Sequence, residues 1–191
     1  MKNEAALIID DYVIIADLHI GYEEELEKKG IVTYSIEGLA AKVNKLRDYA
    51  EKLVINGDIK HNFLPVPKEI FLVKRFLSML EFDGVILIKG NHDGKLDRFV
   101  DMVDKFEIGD ITITHGHKRV PFAEKLVIGH MHPAVKLDGL HRCWIVGRCE
   151  GKKALVMPAF NPFLLGSTEL SGAYKIEEEY RMLLDLTILH A

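Results

Sequence analysis

The sequence predicts an α/β protein whose N-terminal half alternates strands with helices and whose C-terminal half is mostly β. Three observations carry that reading. Short apolar runs alternate with helical spacings as far as Met102, and from Lys105 onward short strands follow one another. No internal repeat, low-complexity tract or linker interrupts the 191 residues, so one domain spanning 1–191 is expected. Apolar residues make up 48% and charged residues 28%, the profile of a globular chain with a sizeable core.

Taken in order, Leu7-Ile8-Ile9 and Tyr12 to Ala16 read as two strands around an Asp10-Asp11 turn. Tyr22 to Lys29 is polar nearly all round, with Glu24/Lys28 and Glu25/Lys29 one helical turn apart and Gly30 as a stop. It reads as a solvated helix. Ser35 is placed to cap a helix to about Ala50, with Ile36, Leu39, Ala40, Val43 and Leu46 on one face. The strand Leu53-Val54-Ile55 follows, then a Pro65/Pro67 loop and a second amphipathic helix, Lys68 to Leu80. Val85 to Ile88 is the next strand, and Leu96 to Met102 reads as a short helix.

Lys105 to Ile108, Ile111 to Thr114, Leu126 to Ile128 and Ala134 to Leu137 are predicted strands. Cys143 to Arg148 and Lys153 to Met157 are expected to pair as a hairpin across Glu150-Gly151. Tyr180, Met182, Leu184, Leu186 and Ile188 alternate with period two, which favours a final strand.

Composition excludes several classes. No apolar run approaches the roughly 18 residues needed to span a bilayer, and the opening Met1-Lys2-Asn3-Glu4 is not expected to begin a signal peptide. Cys143 and Cys149 have neither metal spacing nor a disulfide framework, and a reducing, cytoplasmic location is expected. The net charge of -4 gives no global footprint for nucleic acid. Lys118, Arg119, Arg142, Arg148, Lys152 and Lys153 are the cations from which a local basic patch would be built. Nine histidines, about twice the number expected from general usage, are the compositional oddity.

Most of those histidines sit where strands end. Asp17-x-His19, Gly57-Asp58, Gly90-Asn91-His92-Asp93, His115-Gly116-His117 and Gly129-His130-Met131-His132 each follow an apolar strand. Each motif alone is an ordinary turn or cap. In open α/β sheets, however, binding sites gather at the carboxyl ends of strands, so five such ends along one sheet edge would bring these side chains together. Imidazoles, carboxylates and one amide oxygen, with no thiolate, suit manganese, iron, zinc or similar divalent ions. The candidates are too many for one tetrahedral site and about right for two ions sharing a carboxylate. Two such ions lower the pKa of a shared water and clamp a phosphate for in-line attack by hydroxide.

The five blocks, from Asp17 to His132, resemble the calcineurin-like metallophosphoesterase superfamily, whose pattern is D-x-H, G-D, G-N-H-D/E, H and G-H-x-H. Within it the chain is similar to the compact phosphoesterases related to the nuclease subunit SbcD. It also resembles the ligase-associated phosphoesterases, through Gly57-Asp58-Ile59-Lys60-His61 and Pro158-Ala159-Phe160. The resemblance implies a four-layer α/β/β/α sandwich. It implies that Asp17, His19 and His132 hold one ion, that Asn91, His115 and His130 hold the other, and that Asp58 bridges them. His92 would protonate or stabilise the leaving alkoxide, with Asp93 orienting its imidazole.

Lys60 and His61 would either contact substrate phosphate or only begin a loop. His117 would stand beside the ligands or be merely exposed, with a metal role less favoured, and it is also a candidate for substrate contact. Pro158 to Pro162 reads as a rigid turn, with a wall of the cleft as the alternative. The cofactors implied are two divalent ions, manganese first, with iron, nickel, zinc or magnesium as alternatives. The expected partner is a phosphate-ester substrate, a nucleotide or nucleic acid included, with no membrane and with self-association into a homo-oligomer left open. A nuclease of the SbcD type is the alternative function, against which stand the net acidity and the lack of a capping domain or coiled coil. A non-catalytic scaffold of this fold is disfavoured, because Asn91, His92 and every ligand position are present.

Overall fold

The structure is a computed structural model that describes residues 5–184 and 189–190. Its strands form two main sheets. The first is ordered β13-β1-β2-β3-β4, built from β1 (Leu7–Ile9), β2 (Tyr12–Ile15), β3 (Lys52–Asn56), β4 (Gly84–Ile88) and β13 (Leu189–His190). The second is ordered β12-β10-β11-β7-β6-β5, from β5 (Lys105–Ile108), β6 (Ile111–Thr114), β7 (Lys125–Ile128), β10 (Trp144–Cys149), β11 (Lys152–Val156) and β12 (Arg181–Leu183). A separate hairpin joins β8 (Ala134–Lys136) to β9 (Leu140–Arg142). Strands β2, β3 and β4 pair in parallel in the first sheet, and β6, β7 and β11 in the second.

Three apolar interfaces stack these elements, and strand alternation sends neighbouring side chains to different ones. Val13 and Ile15 of β2, with Leu53 and Ile55 of β3, pack under α2 (Ile36–Asn44) and α3 (Pro67–Ser78). Ile14, Ala16 and Val54 face the other way, against Ile113, Val127 and Trp144 of the second sheet. Leu126, Ile128, Ile145 and Val156 then form a third interface on the far side of that sheet. Strands covered on both faces need the continuous apolar runs seen in the sequence. The α/β/β layering is thus laid down residue by residue. The outermost cover is irregular chain among the described residues, with Leu170, Tyr174 and Ile176 packed over the second sheet.

Ser35 caps α2 as predicted, its Oγ accepting the Gly38 N–H at 3.1 Å. The helix ends at Asn44 and tightens into a 3-10 turn over Lys45–Asp48, short of Ala50. The polar helix α1 (Glu23–Lys28) is also present, with Leu26 as its buried residue. The helix expected over Leu96 to Met102 is only a 3-10 turn, Leu96–Arg98. Val103 explains why: it exchanges backbone hydrogen bonds with Leu87 and Lys89, so the chain must leave any helix to reach the β4 edge. The last predicted strand is realised over Arg181–Leu183; Leu186 and Ile188 lie outside the described residues. No helix of the described residues is long and apolar enough to cross a membrane.

Candidate active site

The predicted ligands do not lie along one sheet edge. Asp17, Asp58 and Asn91 follow β2, β3 and β4 of the first sheet, whereas His115 and His130 follow β6 and β7 of the second. The reason is the sandwich itself. Stacked face to face, the two sheets bring their carboxyl ends together, and the site forms across the seam.

Backbone pairing continues past the strand ends and holds the loops in register. Asp17 N–H donates to Gly57 O at 3.2 Å, His19 N–H to Asp58 O at 2.8 Å, and Ile20 N–H to Ile59 O at 2.8 Å. Among the described residues, five of the eight non-glycine residues with positive φ are predicted ligands: Asp17, His19, Asp58, His130 and His132. Such backbone costs roughly 1–3 kcal/mol per residue and persists where the surroundings dictate it, commonly at functional sites. Two glycines leave space for these ligands. A Cβ at Gly90 would lie 2.1 Å from Asp58 Oδ1, and one at Gly57 2.2 Å from His115 Nδ1.

The side chains gather in two groups. Ligating atoms of Asp17, His19 and His132 lie within 4.8 Å of one another, and so do those of Asp58, His115 and His130. Asp58 Oδ2 stands between the groups, 3.5 Å from His19 Nε2 and 3.3 Å from His115 Nε2. Asn91 Oδ1 is 3.2 Å from His115 Nε2. His115 Nδ1–H donates to Asn56 O at 3.0 Å, which turns Nε2 toward the carboxylates, the usual outer support of a ligating imidazole.

These residues fit divalent ions. Nε2 of His19 and of His132 are buried without an aligned hydrogen-bond partner, and both face carboxylates. Buried polar atoms are rarely left so, and a cation between them would satisfy the whole set.

The electrostatics point the same way. Burial pushes the Asp17 carboxyl up, but the neighbouring His132 and His115 outweigh it and leave it below the usual range. Asp58 is likewise pushed up by burial and brought well below it by His115, His19 and the His92 N–H. Burial holds His19 neutral, with its pKa down at about 3.

His92 stands at the edge of this cluster, its Nε2 3.9 Å from Asp58 Oδ2. Its backbone N–H donates to Asp58 Oδ1 at 2.9 Å, and its Nδ1 is held by the carbonyl of His61. Asp93 does not orient that imidazole as expected. Its Oδ2 accepts from Gly90 N–H at 2.8 Å, and its Oδ1 from Ile59 and Lys60 N–H at 2.9 and 3.3 Å. Asp93 therefore welds the two loops together. It is completely buried, and burial raises its pKa to about 6.

Lys60 does not face the cleft either. It is fully buried, and its ammonium is spent on the carbonyls of Asn62, Leu64 and His92. His61 does reach the site, with Nδ1 3.3 Å from His19 Nδ1, and groups with His19 and His92. His117 lies beside the second group, its ring 5.4 Å from that of His115, and burial lowers its pKa to about 4.

Two residues at the site were not anticipated. Asn161 is buried in the Pro158 to Pro162 turn and donates from Nδ2 to Leu18 O at 2.9 Å, bracing the Asp17–His19 loop. The two flanking prolines were its only signal. Phe63 stacks on the His92 imidazole, with ring centroids 3.9 Å apart, and its place in a proline-bounded loop gave no hint of this.

Fold and site together define a metal-dependent hydrolase of phosphate esters. The family model for calcineurin-like phosphoesterases matches residues 12–154, and the chain belongs to that family. Among solved structures it is similar to the nuclease MPE of Pseudomonas putida, at 23% identity and a TM-score of 0.58, over 86% of this chain and 82% of that one. A predicted phosphoesterase of Streptococcus pneumoniae TIGR4 matches at 17% identity and a TM-score of 0.37, over 78% and 72% of the two chains. The former likeness supports the fold; no curated protein sequence matches.

Proposed function

We propose that the chain hydrolyses a phosphodiester or phosphomonoester at a two-ion site, with His92 meeting the leaving group. The observation that carries this is the single carboxylate of Asp58 set between His19 and His115. Asp17, His19 and His132 would hold one ion and Asn91, His115 and His130 the other, with Asp58 shared. Bound there, the ions supply an acidified water as nucleophile and positive charge against the phosphate oxygens. Histidine and carboxylate donors without thiolate suit manganese, iron or zinc.

The remaining work falls to the protein. Water oxygen, having given up one proton to solvent, forms the new P–O bond, and the electron pair of the old bond passes to the leaving oxygen. His92 Nε2, the ring nitrogen facing Asp58, supplies the proton which that oxygen takes up. Gly90 and Asp93 hold the turn that presents His92.

The test is turnover of bis-p-nitrophenyl phosphate and p-nitrophenyl phosphate with Mn²⁺, Ni²⁺, Mg²⁺ or Zn²⁺. Activity on at least one ester is expected; inertness with all four ions would refute the reading. A nucleic-acid strand is the second reading, favoured by the exposed ring of Phe63 beside His92, since bases stack on such rings. Oligonucleotide cleavage in the same assay decides it.

A further inference from the structure

We propose that residues 60–63 form a clamp that aims His92, and that Phe63 is a positioning residue for departure of the leaving group. The inference rests on the reading that His92 serves that group. An imidazole has two soft torsions, and both are fixed from this one loop. The carbonyl of His61 accepts a hydrogen bond from Nδ1–H, which sets the ring's rotation and leaves Nε2 toward Asp58. The Phe63 ring lies against the imidazole face, tilted by 26°, and prevents the ring from swinging outward.

Phe63 itself is 61% exposed, whereas the His92 side chain retains only 17% of its surface. The phenyl group thus contributes little to the core and much to covering one imidazole. Burying an ammonium is costly unless it is well partnered, yet Lys60 is buried here. Its carbonyl partners, in Asn62, Leu64 and His92, join the clamp loop to the residue being clamped. Asp93 fixes the base of the same loop through the Ile59 and Lys60 N–H groups. Small errors in placing a catalytic group are expensive, since a shift of about 1 Å can cost about 100-fold in rate.

The experiment is a leaving-group series, from p-nitrophenyl to simple alkyl phosphate esters, run on the metal-loaded protein. Nitrophenolate departs without a proton, whereas an alkoxide needs one. Phe63→Ala is expected to lose about tenfold more in kcat on alkyl than on nitrophenyl esters, a fraction of the roughly 10²–10⁴-fold range of general acid catalysis. Phe63→Tyr should restore the wild-type ratio, and calorimetric metal titration of both variants should match wild type.

His92→Ala, run in parallel, separates this proposal from the one it rests on. If His92→Ala discriminates between leaving groups and Phe63→Ala does not, the clamp is refuted and the role of His92 stands. If His92→Ala shows no discrimination, both fall. Loss of metal binding in Phe63→Ala would equally overturn the clamp, because the ring would then be supporting the ligands.

Discussion

His115 Nε2 lies 3.3 Å from Asp58 Oδ2 across the seam between the two sheets. Burial alone would lower the imidazole's pKa, but the Asp58 hydrogen bond and charge outweigh it and raise the pKa to about 9. Without ions, a proton on His115 takes the place that a cation would fill, so ion binding must displace it.

This sets a pH dependence for the metal-free protein. The folded pKa of about 9 lies above the unfolded value of about 6.5. The resulting stabilisation is complete below about pH 6.5 and is lost as pH rises through 9. The thermal midpoint of chelated protein should therefore fall between pH 7 and 9.5, and His115→Gln should flatten that decline. An equal decline in both proteins would assign it to another group.

The roles proposed for the neighbours Asn91 and His92 are separable. Asn91→Ala should weaken occupancy of the second ion site, read as metal per chain by elemental analysis. His92→Ala should keep two ions and lose roughly 10²–10⁴-fold in kcat on alkyl esters. An emptied second site in His92→Ala would show that these assignments are wrong.

Gly90 is irreplaceable for lack of space. A methyl group there meets Asp58 at 2.1 Å, so Gly90→Ala must displace the shared carboxylate or its loop. Overpacking of this kind costs about 1–3 kcal/mol, and ion affinity should fall with it. Unchanged calorimetric titration of the variant would contradict the observed packing.

Asp93 adds a second limb of the same sign at lower pH. Its folded pKa of about 6 exceeds the unfolded value of about 3.9, so its protonated form favours folding. That contribution is present below about pH 3.9 and lost as pH rises through 6. Asp93→Asn should abolish it while costing about 1–3 kcal/mol at neutral pH, because the amide presents a donor to one of the backbone N–H groups. Chemical denaturation at pH 4, 5, 6 and 7 reads both effects.

Every strand end that carries a candidate ligand was legible in the sequence, because a buried strand announces itself by an apolar run and the polar residue after it stands out. The directions of side chains within loops were not. Lys60 and Asp93 are charged residues beside the predicted ligands, and only the folded loops reveal that backbone groups consume them. The division of ligands between two sheets depends on which strands stack, and an apolar run does not encode that. The outer cover of the second sheet was equally hidden, since Leu170, Tyr174 and Ile176 follow no helical or strand period.

That division also orders events in time. Each sheet would supply only part of each proposed ion site, with His132 and His115 arriving from one and Asp17 and Asp58 from the other. A chain with only one sheet assembled would offer no complete ion site, so on the proposed assignment ions would engage only after the sheets have docked. Interactions made that late leave the folding rate alone and slow unfolding. The ions would then act as a latch, prolonging the lifetime of the closed sandwich without hastening its formation.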